Sequence, residues 1–180
     1  MWKTVSAAAA IILVAVGFAG SMGASMVLDA TNTTEFCTSC HSMQWNEAEW
    51  MDSIHFKNVS GVRASCADCH VPQSLIPKLG AKLIAARDVW GELMGTIDTA
   101  EKFEAHRWHM ASRVWDRMKA NDSRECQSCH TYEAMDLDEQ DRSARKKHHK
   151  APMRGKTCIE CHKGVAHKMP TRPVAAKTAD

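Results

Sequence analysis

The sequence predicts a mainly α-helical chain, with a single transmembrane helix at the N-terminus followed by a small domain whose interior is not built from side chains alone. Three observations carry that expectation. No charged residue occurs between Lys3 and Asp29. No segment alternates apolar and polar residues as a half-buried strand would. Finally, the 180 residues amount to about one domain, yet they include only 4 Phe, 1 Tyr and 6 Trp, and charged residues interrupt almost every segment after the N-terminus. Such a chain needs another source of apolar interior.

The first element is the run VSAAAAIILVAVGFAGSMGASMVL, long enough to cross a hydrocarbon core of about 30 Å as a helix. A cleaved secretory signal is the competing reading, with AGSMGAS offering small residues near a cut. The apolar core of a signal is usually shorter, about 7–15 residues. We therefore expect residues 1–30 to be a retained anchor in the lipid bilayer. Lys3 and the amino terminus should stay cytoplasmic, with everything after Asp29 on the far side. Residues 31–170 then form the folded domain and 171–180 a flexible tail. The net charge of +2 and the lack of a basic stripe interleaved with aromatics argue against a nucleic-acid partner. Lys146, Lys147 and Lys150, around His148 and His149, form one basic run that reads as a solvated face.

All eight cysteines fall in four CxxCH units: Cys37–His41, Cys66–His70, Cys126–His130 and Cys158–His162. A disulfide framework does not require a histidine after every second cysteine. Structural zinc uses paired CxxC units, but it has no use for a fifth fixed residue. A c-type haem does, because its vinyl groups take the two thiols and its iron takes the adjacent imidazole. The expected cofactors are thus four covalently bound haem c groups, attached through Cys37, Cys40, Cys66, Cys69, Cys126, Cys129, Cys158 and Cys161. Their porphyrins would form much of the core. In bacteria such haems are attached outside the cytoplasmic membrane, which agrees with the orientation of the anchor and sets the first haem close to the bilayer surface.

The spacing of the motifs gives two haem pairs, 37–70 and 126–162, flanking a long middle gap. IHFKNVSGVRASCADCH and KHHKAPMRGKTCIECH each carry a histidine upstream of the motif and a glycine shortly before the first cysteine. This suggests an internal duplication in which His55 and His148 are equivalent. Within the gap, PKLGAKLIAARDVWGELMG places Leu79, Leu83, Val89 and Leu93 at helical spacing. A second helix is expected from about Thr99 to Ala120, with Asp98 and Glu101 in capping-box spacing. Phe103, His106, Met110 and Val114 would form one face of it, and Trp108, Ala111, Trp115 and Met118 a neighbouring stripe.

Motif histidines supply one axial ligand per iron, so the sixth ligands must come from elsewhere. His55 and His148 are favoured by the duplicated spacing, and His167, in CHKGVAH, by its closeness to the fourth motif. His149 is an alternative to His148, and His106 and His109 stand on the middle helix. Three distal histidines for four haems is the natural count.

CTSCHSM, IHFKNVSGVRASCADCHVP, GTIDTAEKFEAHRWHMASRVWDRMKANDSRECQSCH and GKTCIECHKGVAH together resemble the NapC/NirT family of membrane-anchored tetrahaem c-type cytochromes, over nearly the whole chain from the anchor to Pro170. The resemblance implies a quinol dehydrogenase of anaerobic respiration. Such a protein draws on the membrane quinol pool, menaquinol or ubiquinol, and hands electrons to a periplasmic reductase (nitrate, nitrite or similar) or its cytochrome subunit. It also implies that the first iron takes Met43, two residues after the motif histidine, which leaves His41 without iron. The other motif ligands would be His70, His130 and His162. A lysine and an aspartate near the open face of the first haem correspond to Lys82 and Asp88. Six residues of helix separate those two, so they do not share one face, and Lys78 is an alternative partner. The competing function is a tethered electron carrier with no quinol site; a terminal reductase would be expected to carry a further catalytic domain.

Overall fold

A computed structural model describes residues 6–173. Lys3, on which the expected orientation rests, lies outside the described residues, as does most of the tail expected at 171–180. The chain is built from helices and turns, with no strand among the described residues.

Helix α1, Ala7–Ala30, is 24 residues long and strongly apolar, and none of its side chains is buried. It starts where the Ser6 hydroxyl accepts the Ala9 N–H at 3.3 Å. It closes at Thr31, whose hydroxyl donates back to the Val27 carbonyl at 2.8 Å. By length and composition it is able to cross a membrane. The short α2, Thr34–Cys37, follows at once and is capped by Thr33. Next come α3, His41–Met51, and α4, Cys66–His70.

The middle gap folds into the two expected helices. α5 spans Leu75–Leu93, with Pro77 in its first turn, where a missing N–H costs nothing. α6 spans Ala100–Ala120. Its cap differs from the expected capping box: Thr99 is the N-cap, accepting the Lys102 N–H at 3.4 Å. Asp98 lies one residue outside the helix and pairs with the Lys102 ammonium at 2.8 Å. Phe103 and Met118 are buried as expected, but His106 is exposed and its Nδ1 faces the Lys102 carbonyl at 2.8 Å in the preceding turn. Buried among the apolar residues instead is Arg107.

The remaining helices are short: α7, Arg124–Gln127, α8, Arg142–Lys150, and α9, Cys158–Cys161. α2 packs on α4, α4 on α7, and α6 on α9. Among the described residues the buried apolar side chains are Trp50, Ala81, Ile97, Phe103, Met118 and Ile159. A side-chain core this sparse is far from what a domain of about 140 residues normally buries.

Candidate functional site

Each CxxCH unit is wound by its own local device. In the second and fourth, the acidic residue inside the motif closes a capping box on the hydroxyl residue before it. Asp68 accepts the Ser65 N–H at 2.7 Å, and Glu160 accepts the Thr157 N–H at 2.9 Å. The pattern is Ser/Thr-Cys-x-Asp/Glu-Cys, a signal present in the sequence that haem-motif spacing alone overlooks. The Thr157 N–H and then Lys156 hold the Glu160 carboxyl down to about 2. The third motif is reached through two left-handed residues, Asp122 (φ 58°) and Ser123 (φ 52°). Ser123 is fully buried, and its hydroxyl accepts the Ile159 N–H at 3.1 Å, which ties the third motif to the fourth. The first motif straddles two helices: Cys37 ends α2, Cys40 caps α3, and His41 and Met43 lie in the first turn of α3.

No two of the eight cysteines are joined in a disulfide. Burial pushes the Cys37, Cys66 and Cys126 thiols up and takes Cys69 to about 11. After burial, thiols of other motifs add to three of these rises: Cys37 acts on Cys66, Cys126 on Cys69, and Cys158 on Cys126. The four motifs therefore follow one another in space in the same order as along the chain. Among the described residues no three His, Cys, Asp or Glu side chains gather as a zinc site requires.

The histidines carry the clearest geometry. His70 faces His167 with ring centroids 6.2 Å apart, His130 faces His55 at 6.3 Å, and His162 faces His148 at 5.9 Å. Two imidazoles bound to one metal through bonds of about 2 Å, with about 1 Å more from each nitrogen to its ring centre, lie about 6 Å apart. All three pairs match that separation, so the residues fit an iron between them. Burial, with His167 next, takes His70 down to about 4, and its imidazole is neutral, the form that ligates metals. His55 and His148 each turn Nδ1 to an oxygen, the Val165 carbonyl at 3.3 Å and the Gln140 side chain at 2.5 Å. Nε2 is left for a metal, the usual second shell of a ligating histidine. His167 is different: its Nδ1 is buried with no hydrogen-bond partner. What holds it is the next peptide. Glu49 accepts the Lys168 N–H at 2.9 Å, while Arg107, ion-paired to Glu49, donates to the Lys168 carbonyl at 3.3 Å. His106, His109 and His149 are exposed.

Two features differ from the expected duplication. His148 pairs with the motif that follows it, but His55 reaches across to the third motif, so the two are not equivalent. His167 faces the second motif rather than the fourth beside it. The two halves are interlocked, because α4 packs on α7.

Around the first motif, His41 is exposed and its ring packs edge-on against Trp45 at 5.4 Å. Met43 is half-buried, with its sulfur 3.9 Å from Asn46 Nδ2. Lys82 donates to the Thr31 carbonyl at 2.5 Å, at the end of the anchor. Burial lowers its ammonium, while nearby Cys37 opposes that shift. Asp88 is not brought to Lys82; it lies 3.4 Å from Arg113 of α6, half-exposed.

A profile of the NapC/NirT cytochrome c family, N-terminal region, matches residues 1–172. The chain belongs to this family. It is 63% identical over 146 residues to a putative tetraheme cytochrome-c type protein of Allochromatium vinosum, covering 81% of this chain and 79% of the relative. It is 48% identical over 174 residues to the cytochrome c-type protein NapC of Escherichia coli, covering 94% and 87%. It is also 48% identical over 161 residues to the cytochrome c-type protein TorY of Haemophilus influenzae; that match takes in 89% of this chain but spans only 44% of the relative's length. No solved structure matches the chain. As a member of this cytochrome c family it is an electron-transfer protein.

Proposed function

We propose that the protein is a quinol-oxidising electron conduit, held by α1 in a bacterial inner membrane with its haem domain in the periplasm. Four haems are attached at the four CxxCH units, and the acceptor is a periplasmic reductase or its cytochrome subunit. The observation that carries this reading is the ordered succession of motifs: the first stands at the end of the anchor, and the other three each face a distal histidine. Bound haem supplies one-electron chemistry in steps that need no ligand exchange. His70 with His167, His130 with His55, and His162 with His148 would hold three of the irons. Met43 would hold the first, with His41 off the metal and the quinol head group bound beside that haem.

Oxidation of quinol to quinone releases two electrons and two protons. Lys82, beside Cys37 and the end of α1, orients the head group where the substrate leaves the bilayer. Asp88, half-exposed about two helical turns farther along α5, takes up the two protons in turn and passes each to water. A tethered carrier without a quinol site is the second reading, favoured by the partners that Lys82 and Asp88 already have, Thr31 and Arg113. Stopped-flow reduction of membrane-bound protein by quinol separates the two. The proposal expects rapid reduction of the native chain and slowed reduction of Met43→His and Asp88→Leu. If quinol reduces none of them while dithionite reduces all four haems, the quinol site does not exist.

A further inference from the structure

Among the described residues, no other part of the polypeptide covers the apolar stripe that helix α5 carries. Ile76, Leu83 and Trp90 recur at seven-residue intervals and are 76%, 76% and 64% exposed; Leu79 and Leu93 fill the same side at 41% and 75%. Ala81, the one buried residue of α5, is two positions from Leu83 and so about 160° around the helix. The helix thus packs inward on a small residue and presents its largest apolar side chains outward. Lys82 and Arg87 flank the stripe on its two sides, where long basic side chains reach from an apolar surface to water.

What lies against this stripe is indicated by the anchor. Lys82 donates from α5 to the Thr31 carbonyl, one residue past the end of α1. That contact holds α5 at the level where α1 leaves the bilayer. An exposed apolar stripe with Trp, Leu and Ile on one side and flanking basic residues is the pattern of a helix lying in the membrane interface. We propose that α5 lies on the bilayer with Ile76, Leu83, Trp90 and Leu93 among the outer acyl chains, as a second membrane contact beside the anchor. It would fix the tilt of the haem domain and keep the first motif facing the lipid phase. The proposal rests on α1 being membrane-embedded, not on the identity of the quinol or the reductase.

The test uses the full-length, haem-loaded protein in phosphatidylcholine vesicles containing a lipid with a photoreactive diazirine on its acyl chain. Labelled peptides are mapped by mass spectrometry. Labelling is expected on α1 and on residues 75–94. A Leu83→Asp/Leu93→Asp variant should lose about five-fold or more of the α5 label while keeping that of α1. The haem absorbance spectrum of the variant serves as the check that its domain has folded. Should it fail to fold, the native pattern alone decides. Label on α1 with none on α5 overturns the proposal, as does chemical cross-linking that joins α5 of one chain to α5 of another. Absence of label on α1 itself would instead overturn the anchor on which the proposal stands.

Discussion

In the proposed ligation single residues decide how each iron is held, and Met43 makes the first haem unlike the others. Met43→His should turn its signal in the electron paramagnetic resonance spectrum fully low-spin and slow quinol reduction about tenfold, equivalent to about 1.4 kcal/mol of barrier. His41→Ala should leave both unchanged. Loss of the first-haem signal in His41→Ala would return the iron to that histidine. Ser123 tests the structural side: its buried hydroxyl is the acceptor for the Ile159 N–H. Ser123→Ala strands that N–H and should lower stability by about 1–3 kcal/mol in denaturant titration. His55, His148 and His167 were legible as candidates from spacing and number alone. Which motif each one faces was not, because a histidine's distance along the chain says nothing about which helix packs beside it.

At the scale of elements, α6 and α3 act on the segment around Lys168, a C-terminal strap, through the Arg107–Glu49 pair, which grips the N–H and the carbonyl of Lys168. Breaking a buried pair leaves a charge without a partner and costs about 3–5 kcal/mol. Glu49→Gln is the gentler change, since the amide keeps an oxygen for the Lys168 N–H. Arg107→Ala should lower stability by about 3 kcal/mol and free His167, so that an added high-spin signal appears and is removed by free imidazole. Glu49→Gln should keep the low-spin spectrum. A low-spin spectrum in both variants would mean that the strap is held some other way. None of this could be read from the sequence, where Arg107 occupies a helix position next to an expected apolar face and Glu49 an ordinary polar one. The α6 boundaries were legible to within a residue because apolar periodicity reports them. The cap was misplaced because Asp98 and Thr99 both have capping chemistry, and only the Lys102 pair decides between them.

Across the whole molecule, charge is segregated. Residues 142–172 hold ten Lys and Arg against Glu160 alone, whereas residues 31–141 hold eighteen Asp and Glu against eleven Lys and Arg. The basic end surrounds the fourth motif, with Lys146, Lys147, Lys150 and Arg154 exposed. If electrons leave there, their transfer to an anionic oxidant such as ferricyanide should slow as salt rises from about 0.01 to 0.15 M, where the screening length falls from about 30 to 8 Å. A cationic oxidant should show the opposite trend. The apolar N-terminal helix and the helical class were legible because each depends on composition or periodicity. The interlocking of the two halves was not, since it arises from α4 meeting α7. The most direct test of quinol oxidation is stopped-flow mixing of quinol with the membrane-bound native protein, followed at the haem absorbance. Rapid reduction of all four haems, slowed in Met43→His and Asp88→Leu, is the predicted result; reduction by dithionite but not by quinol would contradict it.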